Sequence, residues 1–504
     1  MGCAPGVSIM RSDATEVVPT LERSTCGVGA LVVAAAAIGC GAPAEPEVPP
    51  TNIVMIVVDD LGWVDTSSYG STFYETPNID ALAAAGARFA DFYAASSVCS
   101  PTRASLMTGK HPARLKLTNW IGGEQNGLLN QAEYIRQLPL EEVTVGEAFR
   151  DAGYATGYIG KWHLGRRGFL PDSQGFDYTF AVNEAGQPGD YFPPYENPDW
   201  SITNVPDLGD VPEDTYLPDR LSQAAVDFIE ANAETPFMLV LSHYVVHTPL
   251  QAPTAEIAKY EAKTASMGPE DDTHYEAERD SETKLRQDHA TYAAMVEATD
   301  RSVGRVLASL SARDLDERTA VVLVSDNGGL STLTRRSFNQ ATANVPLRAG
   351  KGWLYDGGIR IPLIVRLPGT VGAGTVVDTP GATTDLYPTL LDLAGLPARP
   401  DQHVDGVSLL GPMRGESISR DSLFWHFPHY HGSGNRPGGA VRIGDLKLVE
   451  WYEDGATELY DLSADIGERV DLSESQPDDA ARLQSALRNW RVAVGANMPT
   501  PRDE

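Results

Sequence analysis

The sequence predicts an α/β fold: a large, mainly parallel sheet sandwiched by helices, followed by a smaller C-terminal α+β subdomain with an antiparallel sheet and a closing helix. Three observations predict it. Apolar runs rich in β-branched residues and ending in polar ones, such as those in NIVMIVVDD (52–60) and RTAVVLVSDNGG (318–329), suit strands buried on both faces. Segments with helical periodicity alternate with these runs, and that alternation favours parallel strands with crossover helices. From about Arg414 the pattern changes to short strand-like segments separated by turn dipeptides.

Taken in order, residues 1–50 read as a leader and tether. The apolar core from about Val28 to Ile38 is too short to span a bilayer and suits a secretory segment. AIGC, ending at Cys40, resembles a bacterial lipoprotein cleavage site, and GAPAEPEVPP then reads as an extended tether. Either lipidation of Cys40, giving a membrane tether, or simple cleavage near Ala44 follows; both imply export to the periplasm or the cell surface. The main domain is expected over 51–413. It opens with the strand in 52–60; residues 76–95 read as helix then strand, and 144–165 as helix, Gly153 stop, strand and loop. Residues 219–244 repeat that plan. An amphipathic helix is expected from Asp288 to Leu310, then the strand in 318–329 and another in 359–369. The polar stretches 184–215 and 262–285 read as insertions or surface loops. Over 414–504, antiparallel strands are expected with turns at Gly444-Asp445 and Asp454-Gly455, closed by the amphipathic helix 478–494.

The chain of 504 residues carries 39 Lys+Arg against 69 Asp+Glu, a formal net charge of −30. A phosphate-binding face needs a basic footprint, so nucleic acid is excluded as a partner. An anionic small substrate would be repelled by the bulk field and needs a local cationic pocket. Of the four cysteines, Cys3, Cys26 and Cys40 fall in the leader, so once the leader is removed Cys99 stands nearly alone, with no disulfide framework.

Ligands of open parallel sheets bind beyond the carboxyl ends of the strands. Asp59 and Asp60 follow the first strand directly, and Asp326-Asn327 ends another. Adjacent carboxylates leaving buried strands need a positive partner, and three carboxylates with one amide oxygen suit Ca2+ or Mg2+ better than zinc. Taken singly, each pair is also an ordinary turn signal. Lys161 and His163 lie just past the strand at 155–160, His243 and His247 just past the one at 237–241, and Lys351 in a Gly-rich loop. A lone Lys or His is usually structural; repeated at strand ends of an acidic chain, they suggest a pocket for a tetrahedral oxyanion.

These residues carry a family resemblance. CSPTRASLMTGKHP (99–112) resembles the C-x-P-x-R signature of the type I sulfatases, of the alkaline phosphatase-like superfamily, and GYATGYIGKWHLG (153–165) resembles their second signature. VVDDLGW, HTPLQAP, SDNGG and LRAGKGWLYDGGIRIP follow the remaining blocks in order, so the likeness spans about 51–500. The resemblance implies a sulfuric ester hydrolase in which Cys99 is converted to 3-oxoalanine (formylglycine) by a formylglycine-generating or anaerobic sulfatase-maturating enzyme reading Pro101 and Arg103. It implies one calcium ion held by Asp59, Asp60, Asp326 and Asn327, with the hydrate of residue 99 activated on it. Arg103 and Lys161 would hold the formylglycine; His163 would act as base, His247 would bind sulfate and protonate the leaving alcohol, and Lys351 would bind the sulfate oxygens. An aldehyde hydrate explains the cysteine: one hydroxyl attacks sulfur and the other expels sulfate, where serine would leave a stable ester.

The substrate side is less specified. FWHFPHYHGSGNRPGGA (424–440) places His426, His429, His431, Asn435 and Arg436 at the start of the subdomain, of which His429, His431, Asn435 and Arg436 are candidate substrate contacts, the alternative being a surface loop. Asn119-Trp120 and 190–200 are further candidate rim elements. An exo-acting carbohydrate sulfatase on sulfated polysaccharide fragments is the expectation. The alternatives are a formylglycine-dependent phosphodiesterase or phosphonate hydrolase of the same superfamily, and an inactive sulfoglycan-binding lipoprotein in which Cys99 stays a thiol.

Overall fold

In the computed structural model, which describes residues 51–502 except Asn126 and 198–204, the first apolar run forms β1 (Asn52–Val58), with every residue buried. Successive side chains point to opposite faces: Val54, Ile56 and Val58 enter one core, Ile53, Met55 and Val57 the other. The remaining strands of the sheet are β2 (Ala87–Phe89), β3 (Ala155–Gly160), β4 (Tyr178–Phe180), β5 (Phe237–Ser242), β6 (Thr319–Ser325), β7 (Leu363–Arg366) and β8 (Thr375–Val377). Their order is β8-β2-β7-β6-β1-β5-β3-β4. β1 sits between β6 and β5, parallel to both, with Ile53 opposite Ala320 and Met238. The sheet is mixed but mostly parallel, as the sequence implies.

β7 is the antiparallel member, paired with β6 on one side and β2 on the other. A parallel neighbour needs a crossover to return to the opposite end of the sheet; an antiparallel one does not. The chain between Ser325 and Leu363 holds only a two-residue strand and the short helix Asp356–Ile359. It stays at the carboxyl end of the sheet, where it carries Asp326, Asn327 and Lys351.

The long helix spans Ala290–Ala312, two residues later than expected at each end. Leader residues 1–50, with Cys40, lie outside the described residues. Among the described residues no helix is long and apolar enough to cross a membrane. The stretch 262–285, read from sequence as loop, contains a hairpin, Tyr275–Glu278 with Ser281–Lys284, that adds Thr332–Leu333 as a third strand. Its residues YEAE and SETK are too polar to show the alternation that marks a strand.

The C-terminal strands β9 (Ser422–Phe427), β10 (Gly438–Ile443), β11 (Leu446–Trp451) and β12 (Thr457–Asp461) form an antiparallel sheet in chain order. Gly444 and Gly455 occupy the left-handed region in the two turns, at φ 59° and 72°. One face buries Val441, Leu448 and Leu459 under Leu483 and Leu487 of the closing helix, Pro477–Val494. The other packs Trp425 and Trp451 against Tyr93, Trp353 and Tyr355, which joins this sheet to the loops carrying the site.

Candidate active site

Four neighbouring strands, β6, β1, β5 and β3, end on one side of the sheet, and each delivers polar residues there. Asp59 and Asp60 leave β1. Asp60 turns into the left-handed region at φ 62°, and its N–H donates to Asp326 Oδ1 at 3.1 Å, tying the ends of β1 and β6 together. Gly328 packs so closely that a Cβ would stand 1.9 Å from the Gly357 carbonyl oxygen, so only glycine fits there. Lys161 follows β3, and His247 lies five residues beyond β5.

Cys99 begins the helix Cys99–Thr108, whose ten residues are all buried; Pro101 is tolerated because first-turn N–H groups have no partner within the helix. Cys99 Sγ lies 3.6 Å from Asp59 Oδ1. One turn on, Arg103 Nε donates to Asp326 Oδ2 at 2.8 Å, and Nη1 donates to the Lys161 carbonyl and Ser242 Oγ at 3.0 and 2.7 Å. Lys161 Nζ meets Asp59 Oδ2 at 2.6 Å, and Lys351 Nζ meets Asp60 Oδ1 at 2.6 Å. His247 Nε2 is 3.7 Å from Asp60 Oδ2.

Three buried carboxylates thus face three buried cations. Burial pushes the Asp59 carboxyl up to about 8, against the pull of Lys161. For Asp60, burial is outweighed by Lys351, His247 and Lys161, and the group stays below the usual carboxylate range. Asp326 is likewise held low, with Arg103 and Lys161 overcoming burial. Burial pushes the Cys99 thiol up to about 12, so as a cysteine it is protonated and a poor nucleophile at neutral pH. Burial, helped by Lys161 and Arg103, holds His163 well below its ordinary value; burial and Lys351 bring His247 down to about 3. Both imidazoles are neutral.

The donor set fits a hard divalent cation. Asn327 Nδ2 donates to Asp60 Oδ1 at 2.8 Å, while its Oδ1 is buried without a hydrogen-bond partner beside the carboxylates. Ligand atoms of Asp59, Asp60, Cys99 and His247 lie within 4.8 Å of one another. Carboxylate and amide oxygens in this number suit calcium or magnesium.

Above this floor opens a cavity of about 590 Å3. Asp60, Cys99, His163, His247 and Lys351 reach it from below. Trp120, Ile121, Leu330 and Leu333 form apolar walls, with Glu184, Gln187, His431 and Ser433 around them. Of the subdomain residues considered as substrate contacts, His431 lines the cavity. His429 is buried behind it, 2.8 Å from Thr118 Oγ1. Asn435 Nδ2 donates to the Arg436 carbonyl at 2.7 Å, and Arg436 pairs with Glu453 and Asp280 at 3.3 and 3.4 Å. His426 is buried on β9, bonded to Tyr452 and the Asn497 carbonyl. His243 is fully buried and bonds Ser302 at 2.8 Å. Sequence reading missed Leu330, Leu333 and Glu184: as single residues in polar loops they carry no periodic signal. Part of the rim element expected at 190–200 lies outside the described residues.

Residues 51–396 match the family model described as Sulfatase, and residues 349–492 match that of the C-terminal part of N-sulphoglucosamine sulphohydrolase. A sulfatase of Formosa agariphila is 33% identical over 536 residues, covering 88% of this chain and 89% of its own. The N-acetylgalactosamine-6-sulfatase of Canis lupus familiaris is 32% identical, covering 84% and 75%. Among solved structures, Ps i-CgsB in complex with k-i-k-neocarrahexaose superposes with a TM-score of 0.70 at 29% identity, covering 88% of this chain and 93% of that one. The phosphonate monoester hydrolase of Agrobacterium radiobacter shares the fold, with a TM-score of 0.62 at 19% identity over 90% and 100%.

Proposed function

Because this chain belongs to the type I sulfatases of the alkaline phosphatase-like superfamily and is a sulfuric ester hydrolase, we propose that it removes sulfate from the ends of sulfated carbohydrate chains through a formylglycine made from Cys99. The observation that carries this reading is the position of Cys99: a buried, protonated thiol at the start of a buried helix, on the floor of a cavity ringed by Lys351, His247 and His163. A thiol in that state has no use as a nucleophile; a geminal diol on the same carbon has one. A cavity of about 590 Å3 suits a terminal sugar with part of its neighbour.

Calcium held by Asp59, Asp60, Asp326 and Asn327 would supply Lewis-acid polarisation at residue 99. The chain's own residues account for the rest. Arg103 and Lys161 brace the carboxylates at 2.8 and 2.6 Å, so the floor is set before substrate arrives. Lys351 meets the sulfate oxygens. One diol hydroxyl gives its proton to the Asp59 carboxylate, 3.6 Å from the side chain of residue 99. Its oxygen forms a bond to sulfur while the bond from sulfur to the sugar oxygen breaks, and the departing oxygen takes a proton from His247 or Lys351. His247, neutral when the site is empty, gains its proton more readily beside the bound anion. His163, kept neutral by burial, then removes the proton of the second hydroxyl; the C–O bond to sulfate breaks, sulfate leaves and the aldehyde returns.

Conversion of Cys99 requires a formylglycine-generating or anaerobic sulfatase-maturating enzyme, and we place the mature protein in the periplasm or on the cell surface, tethered if Cys40 is lipidated. Peptide mass spectrometry of the active enzyme tests the modification directly. Cys99→Ala should abolish hydrolysis of nitrophenyl sulfate with folding intact, and Cys99→Ser should turn over at most once, trapping a sulfate ester. Normal activity in Cys99→Ala, or an unmodified thiol in fully active protein, overturns the mechanism. Faster hydrolysis of the matching nitrophenyl phosphodiester would favour the phosphodiesterase reading.

A further inference from the structure

The proposed carbohydrate sulfatase leaves open what else the sugar carries, and the cavity wall bears on it. Resting on that reading, we infer that the sugar in this pocket carries one sulfate and no other anionic group, and that Glu184 at the mouth is the selecting charge.

The argument is an inventory of charge. Among the described residues lining the cavity, Lys351 is the one lysine and no arginine reaches it, while His163 and His247 stand on the floor with the reacting sulfate. Lys351 already faces Asp60 at 2.6 Å on the floor, where the reacting sulfate binds. Lys161 and Arg103 lie beneath, fully or almost fully buried and engaged with Asp59 and Asp326. Arg436, the subdomain cation nearest in sequence to His431, is turned to Asp280 and Glu453 and does not line the cavity.

The remaining wall offers nothing to a second anion. Trp120, Ile121, Leu330 and Leu333 present apolar surface, on which a sugar face can stack but a sulfate or carboxylate would be stripped of water without a partner. His431 is a neutral hydrogen-bonding group: its Nδ1 meets Ser433 Oγ at 2.8 Å, and burial with Lys351 nearby lowers its pKa to about 4. Gln187 is likewise neutral. Glu184 is exposed at the opening and makes no ion pair among the described residues. Its carboxylate accepts hydrogen bonds from sugar hydroxyls and repels a second sulfate or a uronic acid carboxylate. The net charge of −30 adds to that bias. Specificity here comes from an absence of countercharge together with one repulsive group.

The test compares methyl hexosides sulfated once, at each hydroxyl in turn, with the corresponding disulfated set, on enzyme whose formylglycine has been verified by mass spectrometry and whose activity has been verified with nitrophenyl sulfate. At least one monosulfated hexoside should exceed every disulfated one in kcat/KM by about 10-fold or more. Glu184→Lys should shift the ratio of disulfated to monosulfated kcat/KM upward by about 10-fold, and Glu184→Gln by less. Disulfated sugars turned over as well as or better than monosulfated ones by the unaltered enzyme, or a ratio that does not move in Glu184→Lys, would overturn the inference while leaving the carbohydrate reading in place. Turnover of nitrophenyl sulfate with none of the hexosides would instead overturn the carbohydrate reading, and this inference with it.

Discussion

Lys161→Met isolates what the buried cations do for the floor of the site. The ammonium lies 2.6 Å from Asp59 Oδ2, and both side chains are fully buried. The bonds that Arg103 and Ser242 make at residue 161 go to its backbone carbonyl, so the substitution leaves them in place. Methionine keeps most of the volume of the lysine stem. Breaking a buried ion pair from one side costs about 3–5 kcal/mol, because the remaining charge is uncompensated. Asp59 has an escape: burial raises it to about 8 even beside the ammonium, and loss of Lys161 raises it further, so near neutral pH the variant holds this carboxyl neutral. The penalty then falls toward that of an unsatisfied neutral polar group, about 1–3 kcal/mol. We expect about 2–4 kcal/mol lost in calcium-free protein at pH 7. Calcium at 100 times its dissociation constant adds about 2.7 kcal/mol to either protein; binding to the variant is opposed by no ammonium but must displace a proton held more tightly on Asp59. The assay is urea or thermal unfolding of both proteins in EDTA and across a calcium titration, with nitrophenyl sulfate turnover alongside. Turnover should fall at least 100-fold. A calcium-free variant as stable as the parent, or calcium stabilising neither protein, would refute this account of the floor.

Three further outcomes follow from other parts of the molecule. Gly352 sits at φ 87°, and a Cβ there would stand 2.2 Å from His431 Nδ1, so Gly352→Ala should add about 1–2 kcal/mol of backbone strain and displace the His431 wall, raising KM for a sulfated sugar more than for nitrophenyl sulfate. Glu468 is pushed up to about 7 by burial, with Asp356 adding to it and Lys447 opposing; a carboxyl raised on folding contributes stability that is full below its ordinary value of about 4.5 and lost as pH rises through 7, so Glu468→Gln should flatten the stability profile between pH 5 and 8, and an unchanged slope would refute the assignment. If the bulk charge of −30 opposes an anionic glycan, moderate salt should lower KM, and a steady rise in KM with salt would count against it.

The apolar runs 52–58 and 319–325 are legible as central strands because a strand buried on both faces has no other composition available, and the polar residues that end them had to lie at the carboxyl edge of the sheet. The motif around Cys99 was legible because its residues are contiguous in the chain. The cavity wall was not. Leu330, Leu333 and Glu184 belong to loops whose course depends on long-range pairing; Leu333, for one, is fixed by a hairpin some 50 residues earlier in the chain that shows no strand pattern. His429 and His431 show the same limit: two residues apart in one histidine-rich segment, one is buried against Thr118 and the other faces the cavity.

What the sequence by itself determined is which residues make up the floor, because strand ends and a contiguous motif place their own side chains. Only the tertiary structure decided which neutral and acidic groups line the cavity above it, because those come from separate loops brought together by packing, and no local pattern records that meeting.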